Sequence, residues 1–216
     1  MDVVIAGGHG KIALRLTRLL ADADHRVRGI IRNADHADDL REAGAEPLTF
    51  DLEAQSSAEL AEAIAGADAF VFAAGAGPGS GDARKETVDK GGAVKGVEAC
   101  EQAGVERYVI VSSMGAEDPS SGGEGMSVYL KAKADADEAV IASSLDWTVV
   151  RPGHLTDEDG TGSVTVSTGD LPGADVTRQD VAAVIAACLT TPSTVGVTFQ
   201  LREGDVAIDD ALASLS

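Results

Sequence analysis

The stretch Val3-Val4-Ile5-Ala6-Gly7-Gly8-His9-Gly10-Lys11-Ile12-Ala13 decides the fold. Four apolar residues in a row predict a buried strand, three glycines end it, and an amphipathic run from Lys11 to Ala21 predicts a helix. A strand that turns through glycines into a helix is the setting in which backbone can cradle a dinucleotide. Gly7 permits the tight turn, and Gly10 lets backbone approach a pyrophosphate at the positive end of the helix. Ala13 allows helix and strand to pack closely, and His9, inside the turn, is placed to meet a phosphate. The spacing Gly-x-x-Gly-x-x-Ala is shorter than G-x-G-x-x-G, and glycine-rich turns also occur with no ligand. The rest of the chain has to carry the reading.

It does so by alternation. Apolar runs at Val27–Ile31, Pro47–Phe50, Ala69–Ala73, Tyr108–Val111 and Trp147–Val150 predict strands. Helical patterns lie between them at Ala34–Ala43, Ala58–Ala65, Glu86–Ala103 and Ser127–Ser143. Uninterrupted apolar strands separated by helices predict a parallel sheet covered on both faces, a doubly wound α/β fold. Ligands of such sheets sit at the carboxyl ends of the strands. After Arg151 the rhythm weakens: an acidic loop at Thr156–Gly162, an alternating strand at Gly162–Thr168, a helix Val181–Leu189 capped by Thr177, a strand Val197–Leu201 and a short last helix. We therefore expect one domain over residues 1–216, with a core at 1–151 and a small substrate-side appendage at 152–216. Gly75–Gly81 and Pro119–Gly125 are glycine-rich and expected to be mobile, where loops gating a ligand would lie.

Composition narrows the partners. With 36 acidic against 17 basic residues, the net charge of −19 should repel nucleic acid and anionic membranes. Solubility is the plain reading of that surface, and adaptation to a salty cytoplasm the sharper one. No apolar run approaches the roughly 18 residues of a membrane span, and no signal-peptide pattern is visible, so the cytoplasm is the expected location. Cys100 and Cys188 have no metal-ligand spacing and form no disulfide framework; no metal site is expected. A small-molecule substrate is the expected partner, and the sequence is silent on oligomeric state.

Several residues at the predicted carboxyl edge carry chemistry. The second strand ends in Arg32 where an NAD enzyme usually has an acid, about 20 residues beyond the glycines. A guanidinium suits a 2′-phosphate, so NADP(H) is expected over NAD(H), although a solvated arginine ending a strand would look the same. Asp51 and Leu52 follow the third strand, within reach of an adenine, and small Ala73, Ala74 and Gly75 follow the fourth. The fifth ends in Ser112-Ser113, and Tyr129 and Lys133 lie four apart on the following helix. An ammonium beside a phenol stabilises phenolate and fits the tyrosine for acid–base work, while a serine hydroxyl could orient a carbonyl. Tyr-x-x-x-Lys alone is more often an exposed helix face; after Ser-Ser, in a chain with two tyrosines, it is more specific.

Taken together, IAGGHGKIA, IIRN, FDLE, FVFAAG, VERYVIVSSMGA, YLKAKADADEAV and SLDWTVVRPGHL resemble an atypical short-chain dehydrogenase/reductase. The group is the NAD(P)H-binding one near NmrA-like proteins and flavin reductases, related to NAD-dependent epimerases and dehydratases. TRQDVAAVIAACL and GVTFQL extend the resemblance over nearly the whole chain. It implies a Rossmann fold with NADP(H) laid over Gly7, Gly10, Lys11, Ile12, Arg32, Asp51, Ala73–Gly75, Val111 and Ser112. It implies Tyr129 and Lys133 as the catalytic pair, with Lys133 also on the ribose, and Pro152-Gly153 beside the nicotinamide. The family's catalytic Ser/Thr falls at Ser113 or its neighbour Ser112, because Met114 follows and leaves the register open. Met114 and His154 are placed to touch substrate, though an ordinary loop histidine fits His154 as well.

Three functions follow as expectations. The first is an NADPH-dependent reductase of a small carbonyl, quinone or flavin-like acceptor. The second is a non-catalytic NADP(H)-binding sensor, since many atypical members do not use the Tyr/Lys pair. The third is a small epimerase or dehydratase with tightly held cofactor, against which the short C-terminal portion argues for any substrate as large as a nucleotide sugar.

Overall fold

The computed structural model describes residues 1–77, 79–123 and 125–215. Pro78 and Glu124, within the two loops expected to be mobile, lie outside the described residues. In chain order the elements begin with β1 (Asp2–Ala6), α1 (Lys11–Asp22), β2 (Arg26–Ile31), α2 (Ala37–Glu42), β3 (Ala45–Thr49), α3 (Ser57–Ile64) and β4 (Ala69–Phe72). They continue with α4 (Asp82–Arg84), α5 (Gly91–Ala103), β5 (Arg107–Val111), α6 (Ser127–Ile141) and β6 (Asp146–Pro152). The last third holds β7 (His154–Thr156), β8 (Ser163–Ser167), β9 (Asp175–Thr177), α7 (Arg178–Cys188), β10 (Val197–Glu203), β11 (Val206–Ala207) and α8 (Ile208–Ala213).

The strands form a nine-stranded sheet in the order β11-β8-β10-β6-β5-β4-β1-β2-β3, parallel from β10 to β3. This is the doubly wound Rossmann-type α/β fold. Its logic is visible in burial: Val3, Val4, Ile5 and Ala6 are all fully enclosed, because helices cover both faces and leave no polar side to alternate. α1 and α7 lie over one face, where Ala13, Leu16, Val181 and Ile185 share a core; Leu60, Ile64, Val97, Cys100 and Val140 pack on the other. Each leucine, isoleucine and valine among these contributes roughly 1.5–3 kcal/mol on burial. The chain runs outward from β1 to β3 and then crosses to β4, so the sheet opens a crevice between β1 and β4 at its carboxyl edge.

Three local results differ from the sequence pattern. The helix expected over Glu86–Ala103 is α-helical only from Gly91; Lys85–Lys90 form a π-helical stretch behind α4. The C-terminal portion continues the sheet through β10, which pairs in parallel with β6, and through antiparallel β8. β7 and β9, three residues each, pair in a separate two-stranded sheet that no alternation announces.

Candidate functional site

Helix starts differ sharply in this molecule. α3 is closed by a capping box between Ser56 and Glu59, and α7 by Thr177, whose hydroxyl accepts the Asp180 amide. α1 starts at Gly10 with no side-chain cap and no acid in its first turn, so its leading amides stand open to an anion. The turn before it is built from backbone approaching backbone. Gly7 has φ +78°, and a Cβ there would lie 2.6 Å from the Cα of Ala74. A Cβ on Gly8 would lie 2.9 Å from the Cα of Gly29 in β2, while its amide donates to the Ile30 carbonyl at 2.8 Å. The cradle suits a diphosphate, with open amides at a helix N-terminus and backbone packed on backbone behind them.

A cleft runs from this turn over β2 and β3, lined by Gly7, Ile30, Arg32, Phe50, Asp51, Leu52, Glu53, Ala74, Gly75 and Arg84, among others. Arg32, Asp51, Leu52, Ala74 and Gly75 thus come together, while Ala73 packs against the core. Arg84 and Glu53 were not anticipated. Glu53 lies between two guanidiniums, 2.9 Å from Arg84 and 3.3 Å from Arg32, and accepts the Thr87 hydroxyl at 2.6 Å. The Thr87 hydrogen bond first, then Arg84 and Arg32, hold its carboxyl below the usual range, against the partial cost of burial.

His9 and Lys11 have other partners than the turn. His9 Nε2 lies 2.7 Å from the Asp39 carboxylate, and its ring stacks on His36 with centroids 3.8 Å apart, on the α2 side. Lys11 Nζ donates to Asp157 at 2.5 Å, a carboxylate that Arg178 also meets. That Lys11 hydrogen bond leads the effects keeping the Asp157 carboxyl low, with Arg178 and Arg15 adding to it. Ile12 is partly buried and packs on the core.

At the other end of the edge, Tyr129 is half-buried on α6 and Lys133, one turn on, is nearly enclosed. The Lys133 ammonium stands 5.8 Å from the Tyr129 ring centroid and donates to the Val111 carbonyl at 3.1 Å. It also faces the buried Asp89 carboxylate at 3.3 Å. An ammonium has three donors, so one remains for a ligand. The two serines separate clearly. Ser112 is buried and donates to Asp137 Oδ2 at 2.8 Å; Ser113 is half-buried and donates only to its neighbour's carbonyl, on Met114. Ser113 is therefore the hydroxyl with freedom to turn toward a ligand.

Asp137 extends the row on α6: Tyr129, Lys133 and Asp137 are spaced by four and share a face. The sequence reading missed it, although that spacing was legible. Its Oδ2 also accepts Arg151 Nε at 2.9 Å, while Oδ1 has no hydrogen-bond partner among the described residues. Burial pushes its carboxyl up, only partly offset by Ser112, Arg151 and Lys133. Pro152 and Gly153 clamp the ends of β5 and β10: the Met114 amide donates to Pro152 at 3.0 Å and the Gly153 amide to Leu201 at 2.8 Å. His154 is exposed on β7, its Nδ1 3.1 Å from Asp175. Among the described residues, no His, Cys, Asp and Glu group could hold a metal and no helix is long and apolar enough to cross a membrane.

A family model described as NAD(P)H-binding matches residues 7–192. The chain is 38% identical, over the full length of both, to a Bacillus subtilis protein named as an uncharacterized sugar epimerase, YhfK. It superposes with TM-score 0.93 and 38% identity on a Bacillus halodurans structure described as an NAD-dependent epimerase/dehydratase, covering 99% of each chain. The oxidoreductase ylbE from Lactococcus lactis gives TM-score 0.89 at 29% identity, covering 100% of this chain and 96% of that one.

Proposed function

The chain belongs to the NAD(P)H-binding family, and from that premise we propose that it is an NADP(H)-dependent oxidoreductase that reduces a small carbonyl, quinone or flavin-like acceptor. The observation that carries this is the placing of Lys133, which stands 5.8 Å from the Tyr129 ring centroid and donates to the Val111 carbonyl at the carboxyl end of β5, two residues before Ser113. Arg32 and Arg84 at the adenosine end support NADP(H) as the partner. When bound, the nicotinamide supplies a hydride.

The remaining chemistry belongs to the chain. The open first turn of α1 holds the diphosphate, and Lys133 offers its third N–H to the ribose while Val111 and Asp89 fix its position. Ser113 orients the acceptor oxygen. Tyr129 gives that oxygen its proton as the acceptor takes up the electron pair, and solvent restores the phenol. Screening carbonyls, quinones and flavins for NADPH oxidation tests the proposal. Binding of NADPH with no acceptor consumed by any of them would favour a sensor. The names of the 38%-identical relatives favour a second reading, an epimerase or dehydratase. In that case the dinucleotide would stay with the protein through purification and be regenerated in each turnover.

A further inference from the structure

We infer that Asp89 is a positioning residue that cancels the charge of Lys133, so that Tyr129 stays a proton-donating hydroxyl and the site favours reduction over the reverse oxidation. The inference rests on Tyr129 and Lys133 being the reacting pair proposed above. The sequence pattern alone pointed to an ammonium that stabilises phenolate and fits the tyrosine for acid–base work in either direction. The structure supplies a counter-charge that the pattern could not show. Asp89 and Lys133 side chains are 2% and 5% exposed, with Oδ1 3.3 Å from Nζ. Water does little to screen such a pair, so a carboxylate beside the ammonium removes most of its effect on a third group nearby.

Asp89 is also fixed in place. Its Oδ2 accepts the Ala76 amide at 2.9 Å, tying it to the loop that follows β4. It sits in the π-helical Lys85–Lys90 stretch, a wide turn of the kind that recurs at functional sites. The other charges packed around the pair are already matched. Arg151 on β6 is held by Asp137 and faces Glu117 at 3.5 Å; Asp137 also binds Ser112. On the outer face, Lys90 is bridged by Glu86 and Asp135, and Lys131 by Asp135. Lys133 is thus the cation next to the phenol, and Asp89 is the group that decides how much of its charge the phenol feels.

The consequence is directional. A neutral hydroxyl can give a proton to the oxygen of a reduced acceptor, whereas oxidation of an alcohol or quinol needs a phenolate to take one. Removing Asp89's charge should make phenolate easier to form.

The chain offers a direct readout because it has two tyrosines. Tyr108 is fully buried, its hydroxyl donates to the Ala93 carbonyl, and burial pushes it well up. The first near-ultraviolet phenolate band to develop on raising the pH therefore belongs to Tyr129. In Asp89→Asn that band should develop about one pH unit below the parent, the scale of losing one nearby charge. In case a lone buried ammonium prevents folding, the same step is read in a second background: Lys133→Met with Asp89→Asn should develop the band below Lys133→Met alone. Asp89→Glu, which keeps the charge, should stay with the parent. A band unmoved by Asp89→Asn in folded protein, in either background, overturns the inference. No cofactor or acceptor is present in this titration. A failed search for acceptors would therefore remove the proposed function and leave the charge role standing, and an unmoved band would do the reverse.

Discussion

At one end of the sheet's carboxyl edge Lys133 and Asp89 are 5% and 2% exposed; at the other, Arg32 and Glu53 are 57% and 27% exposed. Each end pairs a cation with a carboxylate at 3.3 Å, so contact geometry does not separate them. The surroundings do. Two unit charges about 4 Å apart interact by roughly 1 kcal/mol in water and roughly 4 kcal/mol in a protein-like medium. The buried end should therefore respond strongly to substitution and weakly to salt. The exposed end should respond weakly to substitution and strongly to salt. Fixed chemistry belongs where water is excluded, and choice between two similar cofactors can be made at a wet surface.

The turn between the two ends sets the limit for both. Gly10→Val should abolish NADPH binding, because the branched side chain would stand at the open amides of α1. The fold should persist: φ at Gly10 is −66°, which any residue adopts, and a Cβ would meet the Gly7 carbonyl at 3.1 Å, a contact a small shift relieves. Circular dichroism with a fluorescence titration of NADPH checks this; a folded variant that binds normally would remove the turn from the site. Next in size is Tyr129→Phe, expected to lower turnover by roughly 10²–10⁴ while leaving NADPH affinity intact. Unchanged steady-state NADPH oxidation would take the phenol out of the mechanism. Lys133→Met should cost stability as well, by roughly 3–5 kcal/mol, since it leaves Asp89 buried without its counter-ion. Urea melts should show that loss persisting in high salt; a loss that salt erases would mean the pair is wetter than its burial says.

How much of this was legible in the sequence depended on whether partners were near in the chain. The strand–turn–helix of Val3–Ala13 and the alternation after it predict the sheet, because apolar runs and periodicity are local properties. Tyr129 and Lys133 were legible for the same reason, and Asp137 stood in the same row unread. Asp89 and Glu53 were not legible. Asp89 meets Lys133 from 44 positions upstream through a π-helical turn that no spacing announces, and Arg84 reaches Glu53 from 31 positions away. His9 and Lys11 were read as residues that meet the cofactor, and the pattern could not show Asp39 and Asp157 as their partners.

The smallest expected effect is at the exposed end, and it decides the cofactor. A 2′-phosphate at Arg32 and Arg84 would compete with Glu53, whose carboxyl is held low by Thr87 and the two arginines and so stays charged at neutral pH. Arg32→Ala should narrow the preference for NADPH over NADH by about 1.5 kcal/mol, the low end for a charge-assisted bond because the guanidinium is largely in water. That difference should shrink further as salt is raised. Glu53→Gln should act the opposite way and strengthen NADPH binding, since it removes a negative charge beside the phosphate while leaving a side chain of the same shape. Calorimetry with both dinucleotides, on parent and variants at two salt concentrations, reads all of this. Equal affinities in the parent would end the case for NADP(H). A Glu53→Gln variant that loses NADH binding selectively would show Glu53 accepting a ribose hydroxyl, and the exposed end would then be an NAD site with its two arginines serving to hold that glutamate in place.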